Sequence, residues 1–237
     1  MTAALHLPLD DFIRANTVLQ APPLVPEVQL YLASEVVPLW EATEVGLAEQ
    51  GLPPPFWAFA WAGGQALARY LLDHPEAVLG KRVLDFAAGS GLQSIAARLA
   101  GAASVEAAEI DAFACAACRL NAAANAVDIT VSKKDLVGEP NPATPNEHWD
   151  VVLAGDVCYE RPAADRITAW LRSLATPSDA GDCLVLLGDP GRTYLPRRGL
   201  ERLIAYGVKT SRELEDSDLR NAVVWRVAPS AAGDTET

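Results

Sequence analysis

What this chain lacks narrows its chemistry before any motif is considered. None of its 237 residues fall in a run long and apolar enough to span a bilayer; residues 52–68 come nearest and are broken by Pro53, Pro54, Pro55, Gly63 and Gly64. Basic residues are scarce, 19 Lys and Arg against 31 Asp and Glu, for a formal charge of −12. Nucleic acid, which needs a basic surface, is therefore not expected as the partner, although a basic protein region would be attracted. Three histidines, His6, His74 and His148, lie far apart in expected surface turns, and no GxSxG occurs, which argues against a Ser-His-Asp hydrolase. Of four cysteines only Cys115 and Cys118 form a close pair. Without a second pair there is no zinc set, and within an alanine-rich helical pattern they are expected as small apolar side chains rather than a redox or metal site. The start, MTAALHLPLDDF, resembles neither a secretory leader nor an arginine-rich import peptide. The chain is expected to be cytoplasmic, with no metal and no membrane partner, and a monomer is expected. Half of the residues are hydrophobic, which supplies a sizeable core.

Residues 24–48 mix large apolar and acidic residues and predict one or two amphipathic helices, interrupted near Pro38, within an N-terminal helical extension over residues 1–54. PFWAFAWAGG follows, an aromatic segment that suits either a collar over the core or a lid over a ligand, and then a helix over 64–72. From Lys81 strands and helices alternate. RVLDF, SVEAAEI, DITVS, WDVVLAGD and GDCLVLLGD predict strands; SGLQSIAARLAGA, DAFACAACRLNAAANAV and PAADRITAWLRSLA predict helices between them. A further helix is expected over 197–206, and closing strands over 208–214 and 221–227. Residues 138–148 and 188–196 are expected as loops, and 229–237 as a frayed tail. The pattern predicts an α/β fold, a doubly wound and mainly parallel sheet covered by helices on both faces.

The segment VLDFAAGSGLQSIAARL carries the first chemical signal. Asp85 closes a strand, Gly89 and Gly91 permit a tight turn, and a helix begins at once, which places bare backbone and unpaired amide hydrogens at the carboxyl edge of the sheet. The register Gly89, Gly91, Ser94 lacks the third glycine of a dinucleotide fingerprint, and no lysine with a hydroxyl neighbour follows as in a triphosphate loop. Glu109, ending the second strand of the alternation, can accept both ribose hydroxyls of a nucleoside. Asp135, after the third, either accepts from an adenine amino group or caps a turn. Asp156 and Tyr159 follow the fourth strand, and either cap the next helix or form a reaction site.

PFWAFAWAGGQALARYLL, VLDFAAGSGLQSIAARLAGA, AEIDAFA, NAAANAV, WDVVLAGDVCYE and LLGDPGR together resemble the seven-β-strand methyltransferases. More closely, from about Pro55 to Val227, they resemble the electron transfer flavoprotein β-subunit lysine methyltransferases. DVCYE matches the DxxY pattern of the lysine-methylating branch; WAGG stands at Trp61–Gly64 where the family usually has WPGG. The resemblance implies a methyltransferase domain over 55–228, strand order 3-2-1-4-5-7-6 with a reversed final hairpin, S-adenosylmethionine as cofactor and S-adenosylhomocysteine as product. It implies that Asp85, Gly89 and Gly91 hold the methionine portion, Glu109 the ribose and Asp135 the adenine, with Trp57 and Trp61 in the wall beside the cofactor. Asp156 and Tyr159 become the target-lysine site, and Asp189 and Arg192 a substrate-side loop. The implied reaction is in-line transfer to a neutral amine, trimethylating lysines beside the flavoprotein's recognition loop. Methylation of another protein, such as a ribosomal one, or of a small molecule would use the same scaffold, and so would a non-catalytic cofactor-binding module. DVCYE favours lysine methylation; the intact Gly89, Gly91, Glu109 and Asp156 favour catalysis.

Overall fold

A computed structural model of the chain describes residues 8–33, 54–144, 147–178 and 181–229. Five parallel strands form as the alternation predicts: β3 (Arg82–Phe86), β4 (Ser104–Ala108), β5 (Thr130–Ser132), β6 (Val151–Gly155) and β7 (Leu184–Asp189). With β8 (Leu200–Lys209) and β9 (Leu219–Val227) they make one seven-stranded sheet in the order β5-β4-β3-β6-β7-β9-β8. Counted from β3, this is 3-2-1-4-5-7-6, and β9 runs antiparallel to both of its neighbours.

The near-continuous apolar strands are explained by burial on both faces. Val83, Val151, Leu153 and Leu186 point to one side, where they pack with helices α2 (Ala62–Asp73) and α3 (Leu92–Leu99). Leu84, Val152, Val185 and Leu187 point to the other, against Trp170, Leu171 and Leu174 of α5 (Ala163–Leu174). Between them in sequence, α4 (Ala112–Ala124) begins where the Asp111 carboxylate accepts from the Phe113 N–H.

The N-terminal region contributes α1 (Leu9–Asn16) and a two-stranded hairpin, β1 (Val18–Gln20) with β2 (Leu30–Leu32). Phe12 and Ile13 of α1 pack with alanines of α4. The helix expected from Leu24 is absent over 24–33, where Leu30 and Leu32 instead bury themselves as alternate residues of β2; the rest of that expected helical stretch, residues 34–48, lies outside the described residues, as does most of the expected tail.

Further expectations fail at the sheet's far end. Residues 197–206, predicted as a helix, run into β8, and the strand expected over 208–214 stops at Lys209, followed by the short helix α6 (Arg212–Glu215). Leu200, Leu203 and Ile204 have helical spacing, but the register of β8 against β9 shifts between Arg202 and Ile204. A bulge adds a residue and breaks the two-residue alternation, so Leu203 and Ile204 both reach the same core. His148, expected in a surface turn, is buried, with a ring nitrogen 3.3 Å from the Pro142 carbonyl.

Candidate active site

Each of the five parallel strands has a carboxylate at or near its carboxyl end: Asp85, Glu109, Asp135, Asp156 and Asp189. A row of acids along one sheet edge favours a cationic ligand there.

Asp85 is fully buried, and its Oδ2 accepts from the backbone N–H (2.9 Å) and hydroxyl (2.6 Å) of Ser94 in the first turn of α3. Its Oδ1 is buried with no hydrogen-bond partner among the described residues. Burial pushes this carboxyl up to about 7, against the opposing pull of the Ser94 bonds. The glycine loop above it is shaped by positive φ, 54° at Gly89 and 78° at Gly91, and a Cβ on Gly91 would lie 3.2 Å from Cys118 Sγ. Ala87 also has φ 53°, a left-handed conformation uncommon for a residue with a Cβ. Two residues of α4 hold the loop from below. Cys118 Sγ donates to the Gly89 carbonyl at 3.3 Å, and Asn121 Nδ2 donates to the Ser90 carbonyl at 2.8 Å. Asn121 Oδ1 accepts from the Tyr31 N–H at 2.8 Å, which ties β2 to the loop. Cys115 and Cys118 are free and buried, as the alanine-rich helix predicts.

Glu109 faces the same loop. Its Oε2 accepts from the Gly89 N–H at 3.0 Å and its Oε1 from the Ile110 N–H at 2.8 Å, while burial raises its pKa above the usual range. Asp135 is exposed and makes a turn contact, accepting from the Val137 N–H at 3.1 Å. It also lines a groove of about 750 Å3 with Arg82, Glu106, Lys134 and Trp149. That groove includes neither Asp85 nor Asp156.

Asp156 stands at the end of β6 with φ 57°, and burial pushes its carboxyl up to about 6, against the lowering pull of the Arg192 guanidinium. Its Oδ2 accepts from the Gly64 N–H at 2.9 Å; its Oδ1 accepts from Arg192 Nε at 3.0 Å and from a terminal Arg192 nitrogen at 2.6 Å. Neither Asp156 nor Tyr159 caps α5, whose N-cap is Pro162 with no side-chain cap. Asp156 caps α2 instead, which fits a carboxylate at the positive end of a helix. Asp189 is fully buried and shapes the next loop: its Oδ1 accepts from the N–H groups of Gly191 and Arg192, both at 2.7 Å.

The aromatic segment divides. Trp57 is buried, stacked on Phe113 of α4 with ring centroids 6.2 Å apart. Trp61 faces the acidic edge, with the Arg192 guanidinium 5.6 Å from its ring centroid and Phe56 edge-on at 5.9 Å. Phe56 also meets Tyr159 at 5.6 Å, and Tyr159 is 52% exposed. The glycines of WAGG serve close packing. A Cβ on Gly63 would lie 2.3 Å from the Gly188 carbonyl oxygen, and one on Gly155 3.0 Å from the Gly64 Cα, so α2 rests directly on the ends of β6 and β7.

Sequence reasoning missed two residues. Asn121, a lone amide among alanines on α4, was a visible anomaly. Glu215 was not: it lies just past an expected strand, in a connection with no motif, and its buried carboxylate grips Arg192 at 2.8 and 2.9 Å.

The model of the family "Ribosomal protein L11 methyltransferase (PrmA)" matches residues 67–156. Electron transfer flavoprotein β-subunit lysine methyltransferases match over far more. The Danio rerio protein is 35% identical over 92% of this chain and 83% of its own length; the Homo sapiens protein is 33% identical over 92% and 81%. A crystal structure from Pyrococcus horikoshii, of a protein whose description names RNA methylation, superposes with TM-score 0.52 at 18% identity, covering 81% of this chain and 98% of that one, and shows the shared fold alone.

Proposed function

This chain belongs to the electron transfer flavoprotein β-subunit lysine methyltransferase family, and from that premise we propose that it methylates lysine side chains beside the recognition loop of the flavoprotein β-subunit. That it is an S-adenosylmethionine-dependent methyltransferase of a protein follows from the family and the fold. The choice of acceptor is carried by one observation, the match to these methyltransferases along 92% of the chain.

The residues present fit the cofactor. Among the described residues Asp85 Oδ1 is buried and unpartnered, which suits a cationic group, and a Cβ on Gly89 would meet nothing within 4 Å, so the loop leaves room beside bare backbone. Bound there, S-adenosylmethionine supplies a methyl group on a sulfonium already activated for displacement. Asp85 would pair with the amino-acid end, Glu109 would accept from the ribose hydroxyls, and Asp135 from the adenine amino group. Trp61 would wall the transfer site, and Trp57 would back it from the α4 side.

On the acceptor side the chain must present a neutral amine, although a free lysine has a pKa of about 10.4. Phe56, Trp61 and Tyr159 would strip water from it, which lowers that value. An ionised Asp156 acts in the opposite sense by favouring the ammonium, and the Arg192 cation at 2.6 Å offsets that charge. Of the roughly four lone-pair directions of a carboxylate, three at Asp156 are taken by Arg192 and Gly64. The direction left on Oδ2 would orient the incoming nitrogen and receive its proton, directly or through water. Tyr159 would pack along the alkyl stem.

Incubating the enzyme with labelled cofactor and a native cell extract, then mapping the label by mass spectrometry, tests the acceptor. Label on lysine of the flavoprotein β-subunit is expected. Label confined to a ribosomal protein or to a metabolite would overturn the choice.

A further inference from the structure

Three separate loops and one helix end meet in a buried ionic cluster that the motifs do not reveal. Asp156 follows β6, Arg192 follows β7, and Glu215 closes α6 in the β8–β9 connection. One edge of the Arg192 guanidinium, Nε and a terminal nitrogen, holds Asp156 Oδ1. The two terminal nitrogens hold both oxygens of Glu215, at 2.8 and 2.9 Å. The Glu215 side chain is wholly inaccessible to solvent, and Arg220 lies 3.6 Å from its Oε2. The circuit closes at α2, where Glu215 accepts from the Ala62 N–H at 3.4 Å and Asp156 from the Gly64 N–H at 2.9 Å.

We propose that Glu215 is a positioning residue for methyl transfer: gripping both terminal nitrogens of Arg192, one of them shared with Asp156, it fixes the guanidinium plane and through it the carboxylate at the transfer site. The guanidinium is planar and rigid, so fixing one edge fixes the other. Asp156 needs such support, because its φ of 57° is a conformation that a residue with a Cβ holds only when its surroundings over-determine it. The Trp61 ring limits the guanidinium from a third direction. Without Glu215, Arg192 can rotate toward solvent, and Asp156 loses both its fixed geometry and the cation that offsets its charge. Arg192 carries the orientational coupling; without its bridge, Glu215 reaches Asp156 only through its charge and the long contact to the Ala62 N–H.

This inference rests on the methyl-transfer reading of the Asp156 edge but not on the identity of the acceptor. The test measures kcat, acceptor KM and cofactor affinity for Glu215→Gln, Arg192→Lys and the double variant, on whichever acceptor the wild-type enzyme labels. Failure of the flavoprotein as acceptor therefore leaves the ratios of variant to wild type readable. For Glu215→Gln the expected result is a loss of about tenfold or more in kcat, with cofactor affinity held within about twofold. Added to Arg192→Lys, it should change kcat by less than about twofold, because a lysine ammonium is a rotatable point charge with no rigid fork to carry orientation from one carboxylate to the other. An unchanged kcat, fully additive losses, or a loss of cofactor affinity and folded fraction in step with kcat would each overturn the proposal. Should Glu215→Gln fail to fold, Glu215→Asp, which keeps the charge but withdraws it by one methylene, replaces it under the same criteria.

Discussion

Asp85 meets two opposed demands. Its carboxyl is raised to about 7 by burial, so in the ligand-free protein ionising it costs folding free energy. Because the folded value lies above the unfolded one, the stability linked to Asp85 is fully present below pH 3.8 and is lost as pH rises through about 7. Asp85→Asn should therefore melt above the wild type at pH 8, with the difference shrinking toward pH 4; thermal melts of the ligand-free proteins check this. A cationic cofactor group beside Oδ1 would favour the ionised form, so affinity should fall as pH drops below about 7 in the wild type but not in Asp85→Asn. Calorimetric titration from pH 5.5 to 8 reads that contrast, and parallel curves would refute the pairing. Gly91 gives a second test at this scale. A larger residue must hold φ 78° and press on Cys118 at the same time, so Gly91→Val should weaken cofactor binding by about tenfold or more. Asp85, Gly89, Gly91 and Glu109 were legible in the sequence because strand, turn and helix follow one another within one short segment and its neighbour. The partners of Asp156 were not, because Arg192 lies 36 residues on and Glu215 a further 23, and no local pattern links them.

Among the elements, α2 and β8 show why some assignments succeed and others fail. Strands β3 to β7 were legible because each is a short apolar run bounded by turn residues, and the helices between them carry one apolar face. β8 was hidden by its bulge, which lends a strand the apolar spacing of a helix, and only pairing with β9 settles its form. The N-terminal hairpin was missed for a related reason: Leu30 and Leu32 find their partners in the core around α2 and α3, remote in sequence. WAGG was noticed as a motif, but its physical content is the contact of α2 with the strand ends. Gly63→Ala would drive a Cβ to 2.3 Å from the Gly188 oxygen and 2.5 Å from Asp156 Oδ2. Overpacking of this kind costs roughly 1–3 kcal/mol, and here it also presses on the Asp156 carboxylate. Gly63→Ala should thus lower both the melting temperature and kcat, whereas Gly80→Ala, with nothing within 4 Å of its Cβ but a φ of 69°, should affect stability alone.

For the whole molecule, the charge of −12 and the row of carboxylates at the sheet edge favour approach by a lysine-bearing basic segment. Attraction between exposed charges is screened within about 8 Å at physiological ionic strength. The kcat/KM for the protein acceptor should therefore fall severalfold between low and high salt, through KM rather than kcat. A flat salt profile would show that general electrostatics contribute little to recognition. The most direct test of the account as a whole combines purified enzyme, S-adenosylmethionine and purified electron transfer flavoprotein β-subunit, with intact-mass and peptide spectra for the wild type and for Asp156→Asn. The account predicts methyl-sized mass increments on lysine beside the recognition loop for the wild type, and loss of them in Asp156→Asn while cofactor binding persists. Unmodified flavoprotein with the wild type, or undiminished transfer by Asp156→Asn, would contradict it.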